Sequence, residues 1–183
     1  MVFDISMRRK TARQIVLAVF LITAIILNLA FIWVNSSKVS TESSKASRKI
    51  SETIVKKTVK NYDTLPKKEQ NRHIKKLNTK VRSAAHFAEF IPLGLLLFLL
   101  VICLFVSEDF KKILGFAIAV ALALSIFSAL ADEIHQIFVK GRSFEVKDII
   151  TDSLGALLGI VLGTFGFVAV KFARKPDIHK EEV

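Results

Sequence analysis

Several ionisable side chains of this 183-residue chain stand at the edges of strongly apolar sequence. Arg82, His86 and Glu89 follow one another by four and three residues, so a helix places all three on one face. Asp132 and Gln136, at the end of a later apolar run, share a helical face in the same way. A carboxylate near hydrocarbon is energetically costly unless it is paired, protonated or hydrated. These residues are therefore candidates for a functional site.

The last apolar run begins with two aspartates and continues with glycines. Asp148 and Asp152 are four residues apart, and steps of three and four residues continue the same helical stripe through Gly155, Gly159, Gly163 and Gly166. Small residues let helices approach closely, so we expect this face to pack against other spans and to carry the aspartates inward. We predict a polar binding site formed by His86, Glu89, Asp132, Glu133, Gln136, Arg142, Asp148 and Asp152.

Four kinds of role fit these residue types. Arg82 and Arg142 could neutralise the acids in a purely structural interhelical clamp. A ligand site is favoured over the clamp because ionisable groups inside membranes are usually functional. Acid–base catalysis by His86 with a carboxylate fits the spacing, but no serine or threonine has the surroundings of an activated nucleophile. A divalent ion would find oxygen and nitrogen ligands in His86, Glu89, Asp132 and Glu133.

We nevertheless expect no metal and no cofactor. Neither a His-Glu-x-x-His motif nor a pair of cysteines is present, and His86-x-x-Glu89 alone is a common accident. The single cysteine, Cys103, lies inside an apolar run and is expected to be a packing residue.

Four apolar stretches must position these residues. Residues 15–34, 84–106, 113–131 and 149–170 each approach the length of about twenty residues that crosses a hydrocarbon core. With 52% hydrophobic residues, the chain is too apolar for an ordinary soluble domain. We predict an all-α integral membrane four-helix bundle. In such a bundle the start of span two, the end of span three and the start of span four lie at the same membrane face.

The net charge of +11 is concentrated between spans one and two. Residues 35–82 contain fourteen Lys and Arg against four acids. A basic segment beside membrane spans is expected to contact anionic lipid headgroups or an anionic wall polymer. Nucleic acid is not expected as a partner, because no stacking aromatic residues alternate with these lysines.

The basic segment is expected to be partly helical. Its Ser-rich beginning, residues 35–46, predicts irregular backbone. Ile50 and Ile54 then predict an amphipathic helix that Pro66 terminates. A second helical pattern begins at Ile74 and runs into span two, so that span should project beyond the bilayer.

The chain accordingly divides into four parts. They are an N-terminal tail with the first span (1–34), a basic extramembrane loop (35–82), a three-span region (83–170) and a polar C-terminal tail (171–183). The first span should be a retained anchor, because its apolar core is too long for a typical signal peptide. Cytoplasmic termini are favoured because the basic cluster beginning at Arg8 precedes the first span, although the long loop alone argues for the opposite orientation.

Four motifs, taken in order, resemble the VanZ-like family over about residues 80–166. They are His86-Phe-Ala-Glu89-Phe, Asp132-Glu133-Ile-His-Gln136-Ile-Phe, Gly141-Arg142-Ser-Phe and Asp148-Ile-Ile-Thr-Asp152-Ser-Leu-Gly155. Phe90 stands where the family motif has a polar aromatic residue. The resemblance implies a small bacterial plasma-membrane protein, of the kind whose namesake gives low-level resistance to the glycopeptide teicoplanin. It implies neither a reaction nor a cofactor.

Three functions remain open. We favour a non-enzymatic envelope protein that binds a membrane lipid, a lipid-linked envelope molecule or a lipoglycopeptide in a polar pocket at the outer membrane face. The alternative is a membrane-embedded hydrolase or transferase acting on a lipid or cell-wall precursor, with Asp132, Glu133 and His86 as acid and base groups. A transporter is the third, although four spans are few for one unless subunits associate.

Overall fold

The computed structural model describes the backbone of residues 2–105 and 110–173, and the side chains of residues 12–39, 45, 47–105 and 110–173. Every described element is helical, which confirms the predicted all-α class. The elements are α1 (Val2–Ser36), α2 (Ser40–Thr58), a 3₁₀ turn (Tyr62–Thr64), α3 (Lys67–Leu104), α4 (Phe110–Gln136) and α5 (Val146–Ala173).

Four of these helices are long and apolar enough to cross a membrane. They are α1 from Ala12 onward, α3, α4 and α5. Large apolar side chains cover their outer surfaces: Phe20, Phe127 and Phe165 are 66%, 69% and 70% exposed. Such a surface is unfavourable in water but is solvated by lipid tails. The protein is therefore a multi-pass membrane protein, as predicted from its apolar stretches.

The helix of the second span is much longer than a bilayer crossing requires. Helix α3 has 38 residues, which corresponds to a length of about 57 Å against a hydrocarbon thickness of about 30 Å. Pro66 precedes its first turn, where a missing backbone N–H costs nothing, and Glu69 lies near the positive end of the helix dipole. The continuous helix predicted to run from Ile74 into the second span is confirmed.

The projecting half of α3 forms a helical hairpin with α2. Val55, Tyr62 and Ile74 form a small apolar core between the two helices. Arg48 ties their surfaces together by donating hydrogen bonds to Glu52 at 2.8 Å and to Asn71 at 3.0 Å. The lysines of this segment remain on its exposed side.

Two predictions for this segment are wrong. Residues 35–46 are irregular only at positions 37–39, because α1 continues to Ser36 and α2 already begins at Ser40. Pro66 does not end the amphipathic helix either, since α2 ends at Thr58 and Pro66 instead caps α3. The reversal occurs at Asn61, whose φ of 57° lies in the left-handed region that asparagine tolerates.

Within the bundle, α3 makes its most extensive contact with α5. A Cβ atom on Gly155 would collide with the carbonyl oxygen of Phe87, and one on Gly159 would collide with that of Ile91. The two backbones therefore touch at both positions, as small-residue interfaces allow. Gly163 meets the side chains of Phe98 and Leu95 instead.

The close approach does not extend to Gly166, where an added Cβ would meet nothing within 4 Å. The predicted glycine stripe is therefore an interface only from Gly155 to Gly163. The helical part of the second span ends at Leu104, and the predicted end of that span at 106 lies outside the described residues. The same holds for residues 174–183 of the predicted C-terminal tail.

We expect Gly159→Ala to destabilise the protein, because the added methyl group must push α5 away from α3. Overpacking of this kind costs about 1–3 kcal/mol. Thermal unfolding of the detergent-purified protein measures the effect. Gly166→Ala on the same helix is the control, and it should be neutral or slightly stabilising because alanine favours the helix by up to about 1 kcal/mol. Equal effects of the two substitutions would contradict the packing.

Candidate functional site

The ends of three spans meet at one face of the bundle. Arg82 of α3 lies 3.7 Å from the carboxylate of Asp148 at the start of α5. One turn further along each helix, Nδ1 of His86 lies 3.9 Å from Oδ1 of Asp152. Asp132, from the end of α4, joins the latter pair. Two pairs of the residues singled out by spacing thus lie along the interface of α3 with α5, and Asp132 reaches this interface from α4.

Asp132 is the centre of a hydrogen-bond chain that links α1, α4 and the loop after α4. Its Oδ2 accepts hydrogen bonds from Ser36 at 2.7 Å and from Gln136 at 2.8 Å. Oε1 of Gln136 in turn accepts one from Arg142 at 3.0 Å. Ser36, Asp132 and Gln136 are all buried. These hydrogen bonds hold the carboxylate of Asp132 in a fixed orientation. Its other oxygen, Oδ1, has no hydrogen-bond partner among the described residues.

The loop between α4 and α5, residues 137–145, folds back over the site. Gly141 has a φ of 80°, a backbone conformation that favours glycine, and it lets the chain turn so that Arg142 returns toward α4. The backbone N–H of Glu145 donates a 2.8 Å hydrogen bond to the buried Glu133. The loop that contains the Gly141-Arg142 motif is therefore attached to the end of α4 by hydrogen bonds to Gln136 and Glu133.

Glu89 takes its partners from α1. Its Oε1 accepts a 2.9 Å hydrogen bond from Asn35, and its backbone carbonyl accepts a longer one, 3.4 Å, from Asn28. Lys38 lies on the other side of Asn35 and donates a hydrogen bond to it at 2.7 Å. The described hydrogen bonds of Glu89 are therefore all made to asparagines of α1.

Three buried side chains form the centre of the site. His86, Asp132 and Asp152 are 6%, 3% and 0% exposed, and one potential ligand atom from each lies within 4.8 Å of the others. Within the described part of the chain, Nδ1 of His86, Oδ1 of Asp132 and both carboxylate oxygens of Asp152 have no hydrogen-bond partner. Buried polar atoms of this kind are rare, and each calls for an explanation.

A cavity of about 200 Å³ lies beside this centre, between α1, α2 and α3. Three cationic side chains, those of Lys38, Arg82 and Arg142, line it together with a single carboxylate, that of Glu89. The other lining residues are Asn35, Ser47, Ile50, Val81, Ala85 and His86. We call this space the basic pocket. His86 belongs both to the basic pocket and to the buried centre.

The charges of the two regions differ in sign. The basic pocket has an excess of cationic side chains. The buried centre contains the carboxyl groups of Asp132 and Asp152, and those of Glu133 and Asp148 lie beside it. Burial, together with the repulsion of neighbouring Arg82, lowers the pKa of Arg142. Arginine has so high an ordinary pKa that its guanidinium keeps its charge. The arrangement can therefore hold an anionic group in the pocket and a cation at the centre.

All eight predicted site residues lie in this region, but in three groups. His86, Asp132 and Asp152 form the buried centre, and Glu89 and Arg142 line the basic pocket together with His86. The other three contact neighbouring residues of the site: Glu133 accepts from the backbone of Glu145, Gln136 accepts from Arg142, and Asp148 pairs with Arg82. Close by, the ring of His135 on α4 packs against that of Trp33 on α1 at a tilt of 35°, with the ring centroids 4.3 Å apart.

Sequence reasoning missed the contributions of α1 and α2. Asn28 and Asn35 are seven residues apart and share one helical face, and Ser36 follows directly; these polar residues in an apolar span were the available signal. Lys38 was counted only as part of the basic segment. Nothing in the pattern around Ile50 showed that α2 turns back onto α3 and lines the pocket.

Comparison with known proteins gives one match. No curated protein and no solved structure matches the chain. The family model described as VanZ/LLP1 matches residues 15–167. This range includes most or all of each of the four spans, the hairpin and every residue of the candidate site. The chain therefore belongs to the VanZ/LLP1 family, as its four motifs predicted.

Proposed function

We propose that this protein binds an amphiphilic molecule with an anionic headgroup in the basic pocket. The observation that carries the proposal is the composition of the pocket wall. Lys38, Arg82 and Arg142 supply positive charge, while Ile50, Val81 and Ala85 supply apolar surface. Guanidinium and ammonium groups are the usual partners of phosphate and carboxylate groups. A headgroup held by them could leave its alkyl chains against apolar surface.

The position of α2 supports an amphiphile over a water-soluble anion. Ile50 and Ile54 are 54% and 38% exposed on a helix that is not itself a span. An amphipathic helix with exposed isoleucines and many lysines is suited to lie at the interface of an anionic bilayer. Because Ile50 also lines the pocket, an acyl chain could leave the pocket along this apolar surface.

The family and the charge pattern suggest the biological setting. We propose a bacterial plasma-membrane protein with cytoplasmic termini, which puts the basic pocket at the outer face. There it would bind a membrane lipid, a lipid-linked envelope molecule or a lipoglycopeptide such as teicoplanin. Low-level teicoplanin resistance would then result from capture of such a molecule by the pocket.

A membrane-embedded hydrolase is the second candidate, favoured by the dual position of His86. Its ring reaches the pocket, and its Nδ1 lies 3.9 Å from Asp152, so an acid or base is available beside a bound headgroup. Glu133, in contrast, is held by the backbone of Glu145 and does not line the pocket. Release of a product from the bound lipid would favour this candidate over simple binding.

We expect Lys38→Gln to weaken binding of dioctanoyl phosphatidic acid by at least about tenfold, because a charge-assisted hydrogen bond contributes roughly 1.5–3 kcal/mol. Calorimetric titration of the detergent-purified protein measures this. Lys45→Gln is the matched control, since Lys45 is an exposed lysine of the same segment outside the pocket.

Dioctanoyl phosphatidylcholine, whose headgroup has no net charge, should bind more weakly to the unaltered protein than the phosphatidic acid does. Equal binding of the two lipids, or equal loss in Lys38→Gln and Lys45→Gln, would contradict the assignment of the pocket. Recovery of the lipid after the titration, analysed by mass spectrometry, reports whether it was hydrolysed.

Expression of the protein in a susceptible bacterium should raise the minimum inhibitory concentration of teicoplanin, and Lys38→Gln should remove the increase. The reason is that the substitution removes a pocket charge without touching the buried acids. Immunoblotting of membranes controls for abundance, and Lys45→Gln should retain the increase. If the Lys38→Gln variant gave full resistance at normal abundance, the basic pocket would not be the cause of resistance.

A further inference from the structure

We propose that His86, Asp132 and Asp152 bind a divalent transition-metal cation such as Zn²⁺ where α3, α4 and α5 meet. This inference goes beyond the proposed function and does not require the basic pocket to bind an amphiphile. It differs from the expectation of no metal, which rested on the lack of a short sequence motif. Here the three ligands come from three different helices, so no local motif could contain them.

The geometry of the three side chains supports a shared ion. One ligand atom from each lies within 4.8 Å of the other two. Around Zn²⁺, with ligand bonds of about 2.0–2.2 Å, tetrahedral ligand atoms are about 3.4 Å apart. Side-chain rotations that move each atom by about an ångström would therefore complete the coordination.

The unsatisfied atoms point to the same conclusion. Asp152 is fully buried, and among the described residues neither of its carboxylate oxygens accepts a hydrogen bond. Nδ1 of His86 and Oδ1 of Asp132 are also buried without a hydrogen-bond partner among these residues. Leaving a buried carboxylate without a partner costs several kcal/mol, and a cation that contacts all three residues removes this penalty.

The neighbouring cations are engaged elsewhere. Arg82 pairs with Asp148, and Arg142 donates to Gln136 and to the backbone carbonyl of Lys38. The site contains five carboxyl groups, those of Glu89, Asp132, Glu133, Asp148 and Asp152, but only three cationic side chains, those of Lys38, Arg82 and Arg142. A cation at the buried centre is therefore compatible with the excess of acidic groups.

Outer hydrogen bonds already orient one ligand. Ser36 and Gln136 both donate to Oδ2 of Asp132, and its buried Oδ1 has no hydrogen-bond partner among the described residues. Metal sites commonly contain such supporting hydrogen bonds to their carboxylate ligands. One imidazole and two carboxylates, with no thiolate, suit borderline ions such as Zn²⁺ better than Ca²⁺ or Mg²⁺.

The test is Zn²⁺ binding by the full-length, detergent-purified protein after treatment with a chelator. We expect about one tightly bound Zn²⁺ per chain and a higher melting temperature with Zn²⁺. Asp152→Asn, which keeps the side-chain shape, should weaken binding by at least about tenfold. Glu133→Gln is the control: this residue is equally buried but lies outside the three ligands, so its variant should retain the ion.

No Zn²⁺ bound by the folded protein, or equal binding by the Asp152→Asn variant, would overturn the proposal. Loss of Zn²⁺ in Glu133→Gln to the same degree would also overturn the assignment of these ligands. Calorimetry with dioctanoyl phosphatidic acid on the same samples tests the basic pocket separately, so failure of one site is distinguishable from failure of the other.

A second measurement remains informative if Asp152→Asn fails to fold. In a Cys103→Ser background, His86→Cys introduces a thiolate ligand at the same position. Binding of Co²⁺ to this variant should produce a thiolate-to-cobalt charge-transfer band in the near ultraviolet, which is absent when His86 is retained. A folded His86→Cys variant that takes up Co²⁺ without this band would show that position 86 is not a ligand.

Discussion

The structure depends on the cost of burying ionised groups in a bundle whose outer surface is hydrocarbon. Asp132, Glu133 and Asp152 are almost completely buried at the ends of helices that are otherwise apolar. Water cannot reach such groups easily, so their partners must come from neighbouring helices. The spans can therefore associate in only a few ways that do not leave these charges facing lipid.

The backbone contact between α3 and α5 makes that association possible. Because Gly155 and Gly159 present no side chain, α5 touches the carbonyls of Phe87 and Ile91. Asp152 lies about one turn before Gly155, so the close packing brings its carboxylate to 3.9 Å from Nδ1 of His86. A wider separation of the helices would leave Asp152 facing a gap instead of an imidazole. The glycine stripe thus determines both the close packing of α3 against α5 and the short distance between His86 and Asp152.

Spacing along single helices was enough to predict much of this arrangement. Arg82, His86 and Glu89 occupy one side of α3, and the glycines mark the inner face of α5, because both patterns follow directly from 3.6 residues per turn. Alternation of apolar and polar sequence likewise predicted four spans and the projection of α3.

Contacts between distant parts of the chain could not be predicted in the same way. The hydrogen bond from Ser36 to Asp132 joins residues 96 positions apart, and the hairpin that brings Ile50 to the pocket depends on the turn at Asn61. The Ser-rich start of α2 was predicted to be irregular because serine favours turns, but its helix continues into a face that packs on α3. Tertiary packing overrode local preference there.

The most direct test of the central claim, that the buried acids meet partners from other helices at one face, is a charge exchange between Arg82 and Asp148. Thermal unfolding of the purified protein would be compared for Arg82→Asp, Asp148→Arg and the double variant. The account predicts that each single change destabilises the protein and that the double variant recovers most of the lost stability, because the pair at 3.7 Å is restored with its signs reversed. Single variants as stable as the unaltered protein, or a double variant no better than the worse single one, would contradict it.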